Sequence, residues 1–303
     1  MKIVILGGNG YVGSGLYEAL LPNYNPTSID LSIYGIDLGY SIKKDYSKVN
    51  LDEFDVIINV GGHSTVPICE NSKEQAVFNN INNFYRLCDS LKPHQKLIYA
   101  STASCYPVID RPCKEEDFNL SPINTYDITK TSADLIANKF ITKDNKKILG
   151  LRFATISGFA LNQRIDSVFN SLFINAYTKG KLQIKNDYLR RGILGLSDLK
   201  RAVISIIKEP EFYPGQVNLS SFNTSIGELG QLFKTRLSCE VDTFNNYESN
   251  FDFHMNTDRF SSLYSFKFKD SFDTITDDLI NNFSRIDLSK VDLRKQFNYD
   301  FIK

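Results

Sequence analysis

Short apolar runs alternate with stretches of helical periodicity through the first half of the chain. The runs fall at residues 3–6, 32–36, 56–60, 96–100 and 148–153, and the helical stretches at 11–21, 73–90 and 125–140. The runs are apolar throughout, as strands buried on both faces are, whereas the helical stretches need only one apolar face. This alternation predicts βαβ units and an α/β fold built on a doubly wound parallel sheet. Pro22, Pro26, Pro107, Pro112 and Pro122 punctuate the predicted loops. The last third is less regular and richer in Phe, Asn and Asp, and reads as a smaller C-terminal part that covers a substrate. The expected division is 1–155 for the first domain and 156–303 mainly for the second, with a segment near 190–220 returning to the first.

The first run ends in a cluster of glycines. Gly7, Gly10 and Gly13 recur every third residue, and Gly8, Gly10 and Gly13 satisfy G-x-G-x-x-G between a predicted strand and a predicted helix. Glycine here serves a tight turn, close approach of backbone to a pyrophosphate, and close packing of helix on strand. The anion then lies at the positive end of the helix dipole. The stretch is therefore expected to hold a dinucleotide.

With 303 residues, 42 % hydrophobic and 23 % charged, the chain has ordinary globular composition and enough length for a sizeable core. Lys plus Arg equals Asp plus Glu at 35 each, which gives no basic surface for nucleic acid or membrane. Cysteines 69, 88, 105, 113 and 239 form no C-x-x-C pair, a pattern that suits a reducing compartment and a cytoplasmic protein. The N-terminus is already a predicted strand, so no signal peptide is expected, and no apolar run approaches a membrane span. His63, His94 and His254 lack metal-ligand spacing, so no metal site is expected.

Asp37 follows the second predicted strand, 24 residues beyond Gly13, where a carboxylate would accept hydrogen bonds from the adenine ribose and favour NAD over NADP. Tyr-x-x-x-Lys occurs four times, at 40/44, 126/130, 177/181 and 299/303, so the motif alone decides nothing. Only Tyr126 and Lys130 open a helical pattern downstream of a strand ending in hydroxyl residues, Ser101 and Thr102. A secondary alcohol that gives up a hydride must also lose a proton, and a free tyrosine, with a pKa of about 10, is too weak a base. An ammonium at roughly 4 Å, with an effective dielectric of about 20, is worth about 4 kcal/mol and would lower that pKa by as much as about three units. Thr102 would align the substrate oxygen.

With these residues in place, the chain resembles the extended short-chain dehydrogenase/reductases, the NAD-dependent epimerase/dehydratases that act on nucleotide sugars. The resemblance rests on Gly-Gly-Asn-Gly-Tyr-Val-Gly at 7–13, Lys44-Asp45-Tyr46, the segment 55–62, Asn79-Asn80-Ile81, the segment 99–107, the Tyr-Lys helix, Leu151-Arg152-Phe153, the segment 191–199 and the ending at 256–280. It implies a Rossmann fold and NAD as cofactor. It places Gly7, Gly10, Tyr11, Val12, Asp45, Tyr46, Val60, Gly61, Gly62, Asn80, Ala100 and Phe153 on the cofactor beside Asp37, Tyr126 and Lys130. It puts Ser64, Thr102, Thr155 and Arg191 on the substrate, with Arg191 a candidate for its diphosphate. It also implies a homodimer paired through the helices at 73–90 and 125–140.

The departures from the family pattern lie on the substrate side. Thr155 stands where the family usually has Asn, Gly192 and Gly195 replace an Asp and a His, and residues 185–190 are shorter than usual and lack its glycines. Ala103 and Ser104 replace the Asp-Glu pair of the sugar 4,6-dehydratases, which argues against that reaction. Cys105 reads as a packed thiol before it reads as an acid, and His63 as a loop histidine satisfied by backbone. The expected activity is that of a nucleotide-sugar 4-epimerase or 4-keto reductase working by Tyr-assisted hydride transfer. The alternatives are a reductase or dehydrogenase of a non-sugar alcohol and a non-catalytic dinucleotide sensor.

Overall fold

The computed structural model describes residues 1–33, 37–117, 122–246 and 252–288. In chain order the strands are β1 Ile3–Leu6, β2 Thr27–Asp30, β3 Ile42–Lys43, β4 Val56–Asn59, β5 Lys96–Thr102, β6 Lys147–Phe153, β7 Thr155–Ser157, β8 Lys181–Lys185, β9 Arg190–Gly195, β10 Gly215–Leu219, β11 Phe222–Ser225 and β12 Glu240–Phe244. The helices are α1 Tyr11–Tyr24, α2 Val66–Asn71, α3 Lys73–Val77, α4 Phe84–Ser90, α5 Thr125–Asp144, α6 Val168–Lys179, α7 Leu196–Lys208, α8 Ile226–Leu237, α9 Asp258–Leu263 and α10 Phe272–Asn281.

Seven strands form one sheet in the order β10-β6-β5-β4-β1-β2-β3, and every pairing in it is parallel. Side chains alternate across it. Ile3, Ile5, Val56 and Ile58 pack on one face with Leu16, Leu20, Leu199 and Val203 of α1 and α7. Val4, Leu6 and Ile57 pack on the other with Phe84, Leu87, Ala137 and Phe140 of α4 and α5. Both faces are thus buried, which is why the strands read as unbroken apolar runs. Strand order reverses between β1 and β4, and the crevice at such a switch point is where this architecture takes its ligand. A second core gathers Phe169 and Phe173 of α6, Leu182 and Ile184 of β8, Phe233 of α8 and Leu279 of α10. Two small sheets accompany it, β11-β9-β7 and β12-β8. From the irregular last third, β10 nonetheless joins the large sheet beside β6.

Two predicted elements are corrected. The second strand of the sheet is β2, Thr27–Asp30, earlier than the predicted run at 32–36; residues 34–36 lie outside the described residues. A scan for apolar runs misses β2 because its buried positions are Ser28 and Ile29. Ser28 faces the glycine loop so closely that a Cβ on Gly8 would lie 2.0 Å from its Oγ, so the site demands a small side chain. The predicted helix 73–90 is α3 and α4 joined by a π-helical stretch, Phe78–Asn83, an insertion of the kind often found at functional sites. Pro22, expected in a loop, lies inside the C-terminal half of α1, which ends on Asn25 in the left-handed conformation.

Candidate active site

The site begins at the turn from β1 to α1. Gly7 has φ +85°, and a Cβ there would lie 2.4 Å from the backbone N and Cα of Gly61, just past β4. A Cβ on Gly13 would lie 2.0 Å from Gly7 O. These contacts press the ends of β1 and β4 and the start of α1 together. Gly10 caps α1 with extended backbone and no side-chain hydrogen bond, so its first-turn N–H groups remain available to an anion. The backbone cradle therefore fits a dinucleotide pyrophosphate. Tyr11 points away from it: its hydroxyl donates to Gly158 O at 2.7 Å and accepts from Asn170 Nδ2 at 3.2 Å. Val12 packs against the core.

At the end of the second strand the acid is Asp30, 17 residues after Gly13, and this corrects the position given to Asp37. Asp30 Oδ2 accepts from Asn9 N of the glycine loop at 3.0 Å and Oδ1 from Ser32 N at 2.7 Å. Burial pushes its carboxyl above the usual range, those N–H donors oppose the shift, and the charge of nearby Asp37 adds to it. Asp37 is exposed and its carboxylate accepts from Gly39 N at 3.0 Å. Asp30 was legible in principle, since it directly follows the buried Ile29.

Tyr46, Gly61, Asn80, Ala100 and Lys130 line one cleft with Asn59 of β4, which sequence reasoning did not single out. Asp45 caps the turn that presents Tyr46, accepting from Ser47 N at 2.9 Å. Gly62 has φ +142° and leaves room for Asn80, whose Oδ1 would lie 2.6 Å from a Cβ there. Asn80 Oδ1 accepts from His63 N at 3.0 Å, and its Nδ2 donates to His63 O at 2.9 Å and to Thr129 Oγ1 at 3.1 Å. One side chain thus ties the loop after β4 to α5. His63 is buried, and burial together with the Lys130 charge lowers its pKa to about 4, so the ring is neutral. Ser64 is exposed beside it. Val60 N donates to Leu6 O at 2.9 Å, continuing the ladder beyond β4.

Helix α5 starts at Asn124, whose Oδ1 accepts from Asp127 N at 2.9 Å, and Glu70 of α2 accepts from Thr125 N at 2.7 Å. These anchors place Tyr126 and Lys130 over the end of β5. Lys130 Nζ donates to Ala100 O at 3.0 Å. Thr102 ends β5, and its Oγ1 accepts from Ser104 N at 3.2 Å. The Thr102 hydroxyl faces the Tyr126 phenol and offsets part of the upward shift that burial imposes on it. This corrects the expectation of a phenol held low by the lysine. Burial dominates both groups, raising Tyr126 and lowering Lys130, and the cation that favours the phenolate is Arg164. Arg164 was not singled out from sequence; Gln163 Nε2 and Asn170 Nδ2 hold its carbonyl at 2.9 and 2.8 Å.

Phe153 is buried at the end of β6, and Thr155 lies on β7 opposite Ile193 of β9. Arg191 of β9 lies over the Phe253 ring at 5.2 Å; burial lowers its pKa to about 10, and the Asp252 charge opposes that. Its neighbour Arg190 takes the Asp252 carboxylate, at 2.8 Å from NH2 and 3.0 Å from Nε. Cys105 is buried in the core, and burial raises its thiol pKa. Among the described residues no group of three or more His, Cys, Asp or Glu is placed to hold a metal ion. No described helix is long and apolar enough to cross a membrane.

The fold is shared with solved structures of low sequence identity. A UDP-glucuronic acid 4-epimerase from Bacillus cereus, solved with UDP-glucuronic acid and NAD, superposes with a TM-score of 0.80 at 19 % identity over 94 % of this chain and 99 % of that one. A UDP-N-acetylglucosamine 4-epimerase from Methanobrevibacter ruminantium, solved with UDP-N-acetylmuramic acid, gives 0.82 at 21 % identity over 94 % and 99 %. In sequence the chain is 26 % identical over 245 residues to YtcB of Bacillus subtilis, described as an uncharacterized UDP-glucose epimerase, covering 72 % of this chain and 76 % of that protein. Residues 3–219 match the family described as NAD dependent epimerase/dehydratase. The chain belongs to the NAD-dependent epimerase/dehydratase family.

Proposed function

We propose that this enzyme is a nucleotide-sugar 4-epimerase that uses NAD. The observation that carries the reading is the meeting of Tyr126, Thr102 and Lys130 at the end of β5, over the cleft that opens where strand order reverses. In this reading Tyr126 takes the proton of the C4 hydroxyl and Thr102 holds the same oxygen. NAD, held by the glycine loop and Asp30, would supply the acceptance and return of a hydride at C4. Lys130 is fixed on Ala100 O in the same cleft, and the Arg164 charge favours the phenolate. Asp30 takes the adenine ribose in place of Asp37. Arg191, a buried guanidinium beside the substrate strands, takes the diphosphate. Ala103 and Ser104 supply no carboxylate at the positions where 4,6-dehydratases carry theirs.

A homodimer fits the surface. Val77, Phe78 and Tyr85 on the α3–α4 segment and Ile128 and Leu135 on α5 are exposed, with Leu135 at 52 % and Tyr85 at 43 %. Five buried free thiols suit a reducing, cytoplasmic setting.

The test loads the protein with NAD and measures thermal stabilisation by UDP-, GDP-, dTDP- and CDP-sugars, then interconversion of C4 epimers by the sugar that stabilises it. The reading expects one nucleotide class to stabilise, both epimers to form without added NADH, and Tyr126→Phe to lose about 10²–10⁴ in turnover. Activity only with added NADH assigns a 4-keto reductase. Stabilisation by no nucleotide sugar, or an undiminished Tyr126→Phe, refutes the reading.

A further inference from the structure

We propose that Tyr40 and Asn162 are positioning residues for the cofactor: each holds one carbonyl of the glycine loop turned away from the pyrophosphate. The proposal deepens the reading of that loop as the dinucleotide cradle and rests on it. Neither residue belongs to the glycine motif. Tyr40 is one of the four Tyr-x-x-x-Lys tyrosines and lies between β2 and β3. Asn162 lies far along the chain, between β7 and α6.

The loop that must meet the anion is rich in glycine, and glycine lets a peptide plane turn over at little steric cost. A plane so turned exchanges an N–H for a carbonyl, whose oxygen repels a phosphate that the N–H would attract. Two consecutive planes of the loop are closed to this. In a trans peptide the C=O and the following N–H point in opposite directions. In the plane between Gly8 and Asn9, Gly8 O accepts from Tyr40 OH at 3.0 Å and Asn9 N donates to Asp30 Oδ2 at 3.0 Å. In the plane between Asn9 and Gly10, Asn9 O accepts from Asn162 Nδ2 at 2.6 Å and Gly10 N donates to Gly7 O at 3.2 Å. Each plane is held at both poles, and the carbonyl pole of each is held by a side chain from a distant segment. The chain then enters α1 with Gly10 O accepting from Ser14 N at 2.8 Å, which leaves the first-turn N–H groups for the anion.

Both donors are themselves fixed. The Tyr40 ring stacks on Tyr17 of α1, with centroids 3.8 Å apart and planes within 2°. On either side of it, Ser41 Oγ lies 2.7 Å from Ser28 Oγ of β2, and Leu38 N donates to Asn9 Oδ1 at 3.1 Å. Asn162 is 2 % exposed. The backbone leading to it is pinned at Gly158 O, which accepts from Tyr11 OH at 2.7 Å and from Gln163 Nε2 at 3.2 Å.

A hydrogen bond present equally with and without cofactor leaves affinity unchanged. The glycines make the difference. Without Tyr40 OH or Asn162 Nδ2, the free loop is released to other orientations, and NAD must select the competent one. Its apparent Kd rises by the inverse of the fraction left competent. The net worth of one hydrogen bond corresponds to about 3–10-fold in Kd.

The test uses the full-length protein and measures Kd by calorimetry for NAD, ADP and adenosine, the last two in competition with NAD. ADP carries the two phosphates and adenosine carries none, so the ratio of their Kd values reads the cradle. Tyr40→Phe keeps the ring on Tyr17 and removes the donor. Asn162→Leu keeps the side chain's approximate volume and removes the donor. The proposal expects each to weaken NAD and ADP about 3–10-fold and to leave adenosine unchanged. A merely structural role lowers the melting temperature equally with and without NAD and leaves the ratio fixed; a fixed ratio in either variant overturns the assignment of that residue. Equal weakening of ADP and adenosine, as direct contact of the side chain with the adenosine half would give, overturns it too. If the buried Asn162→Leu does not fold, half-buried Tyr40→Phe decides by the same criterion. If the unsubstituted protein binds ADP no more tightly than adenosine, the cradle reading itself fails, and the proposal with it.

Discussion

Two glycines of the opening loop should respond to the same substitution in opposite ways. Gly7→Ala places a Cβ 2.4 Å from backbone atoms of Gly61 at φ +85°, and neither atom can rotate away. The left-handed backbone costs a non-glycine residue about 1–2 kcal/mol, and overpacking a rigid contact about 1–3 more. The sum, about 2–5 kcal/mol, corresponds to a melting temperature lower by about 3–8 °C in a chain of this size. Gly10→Ala meets only Gly7 O at 3.4 Å, an ordinary contact, and Gly10 has φ −75°. As an N-cap change it should cost no more than about 1 kcal/mol. Its Cβ would, however, stand at the uncapped start of α1, where the pyrophosphate approaches. Thermal melts with and without NAD separate the two effects. At 100 times Kd, NAD should stabilise the unsubstituted protein by about 2.7 kcal/mol. Gly10→Ala should keep the cofactor-free melting temperature and lose most of that gain. Equal destabilisation by both substitutions, or a full NAD shift in Gly10→Ala, would refute the argument.

Other perturbations follow from single contacts. Arg152 and Asp134 form a buried pair at 2.9 Å beneath α5, with Tyr99 OH on the other carboxylate oxygen at 2.7 Å. Arg152→Met strands that carboxylate and should cost about 3–5 kcal/mol in urea unfolding; a loss below about 1 kcal/mol contradicts this. The Glu70 carboxyl is lowered from 4.5 to about 2, first by the Thr125 N–H at the start of α5 and then by Lys73. Its folded value lies below its unfolded one, so its contribution is complete above about pH 4.5 and is lost as pH falls towards 2. The melting temperatures of the protein and Glu70→Gln should therefore differ at pH 7 and converge through that window. Leu135→Asp puts a charge on the exposed face of α5 and should yield a well-folded monomer in light scattering, whereas a dimer that persists unchanged removes that face as the interface.

What was legible in the sequence is what local pattern encodes. The strand–glycine–helix opening, β4 to β6 and the Tyr126–Lys130 helix announce themselves because apolar runs and helical spacing are properties of neighbouring residues. β2 did not, because its register is set by a long-range demand, the closeness of Ser28 to Gly8. With the strand misplaced, the acid at its end was misplaced from Asp30 to Asp37. The π-helical stretch left no periodic trace, and it is what carries Asn80 to Thr129 of α5. The Arg164 charge comes to bear on the phenol only through tertiary packing. The lysine–tyrosine coupling was legible as a pair but not in its electrostatics, because burial depends on everything around the pair.

The same logic bears on where substrate specificity resides. Gly192 and Gly195 replace the Asp and His of the family pattern, and on sequence alone that reads as a changed substrate side. Asp270 Oδ2 would lie 2.0 Å from a Cβ on Gly195, so no larger side chain shares that space with it. Asp270 is there because its Oδ2 accepts from Asp198 N at 2.7 Å, while buried Asp198 gathers Ser221 Oγ at 2.7 Å and Asp270 N at 2.8 Å. Gly192 is similarly enclosed, with Ala154 Cβ and Ser220 Oγ each 3.0 Å from a Cβ built on it. Both departures are therefore accounted for by packing between β9 and the segments that cover it. They say little about the ligand. Thr155 on β7 and the short segment 185–190 are left as departures, and Arg191 on β9 as a candidate, through which a difference in substrate would be expressed, and substitutions at Thr155 and Arg191 should alter nucleotide-sugar preference before they alter stability.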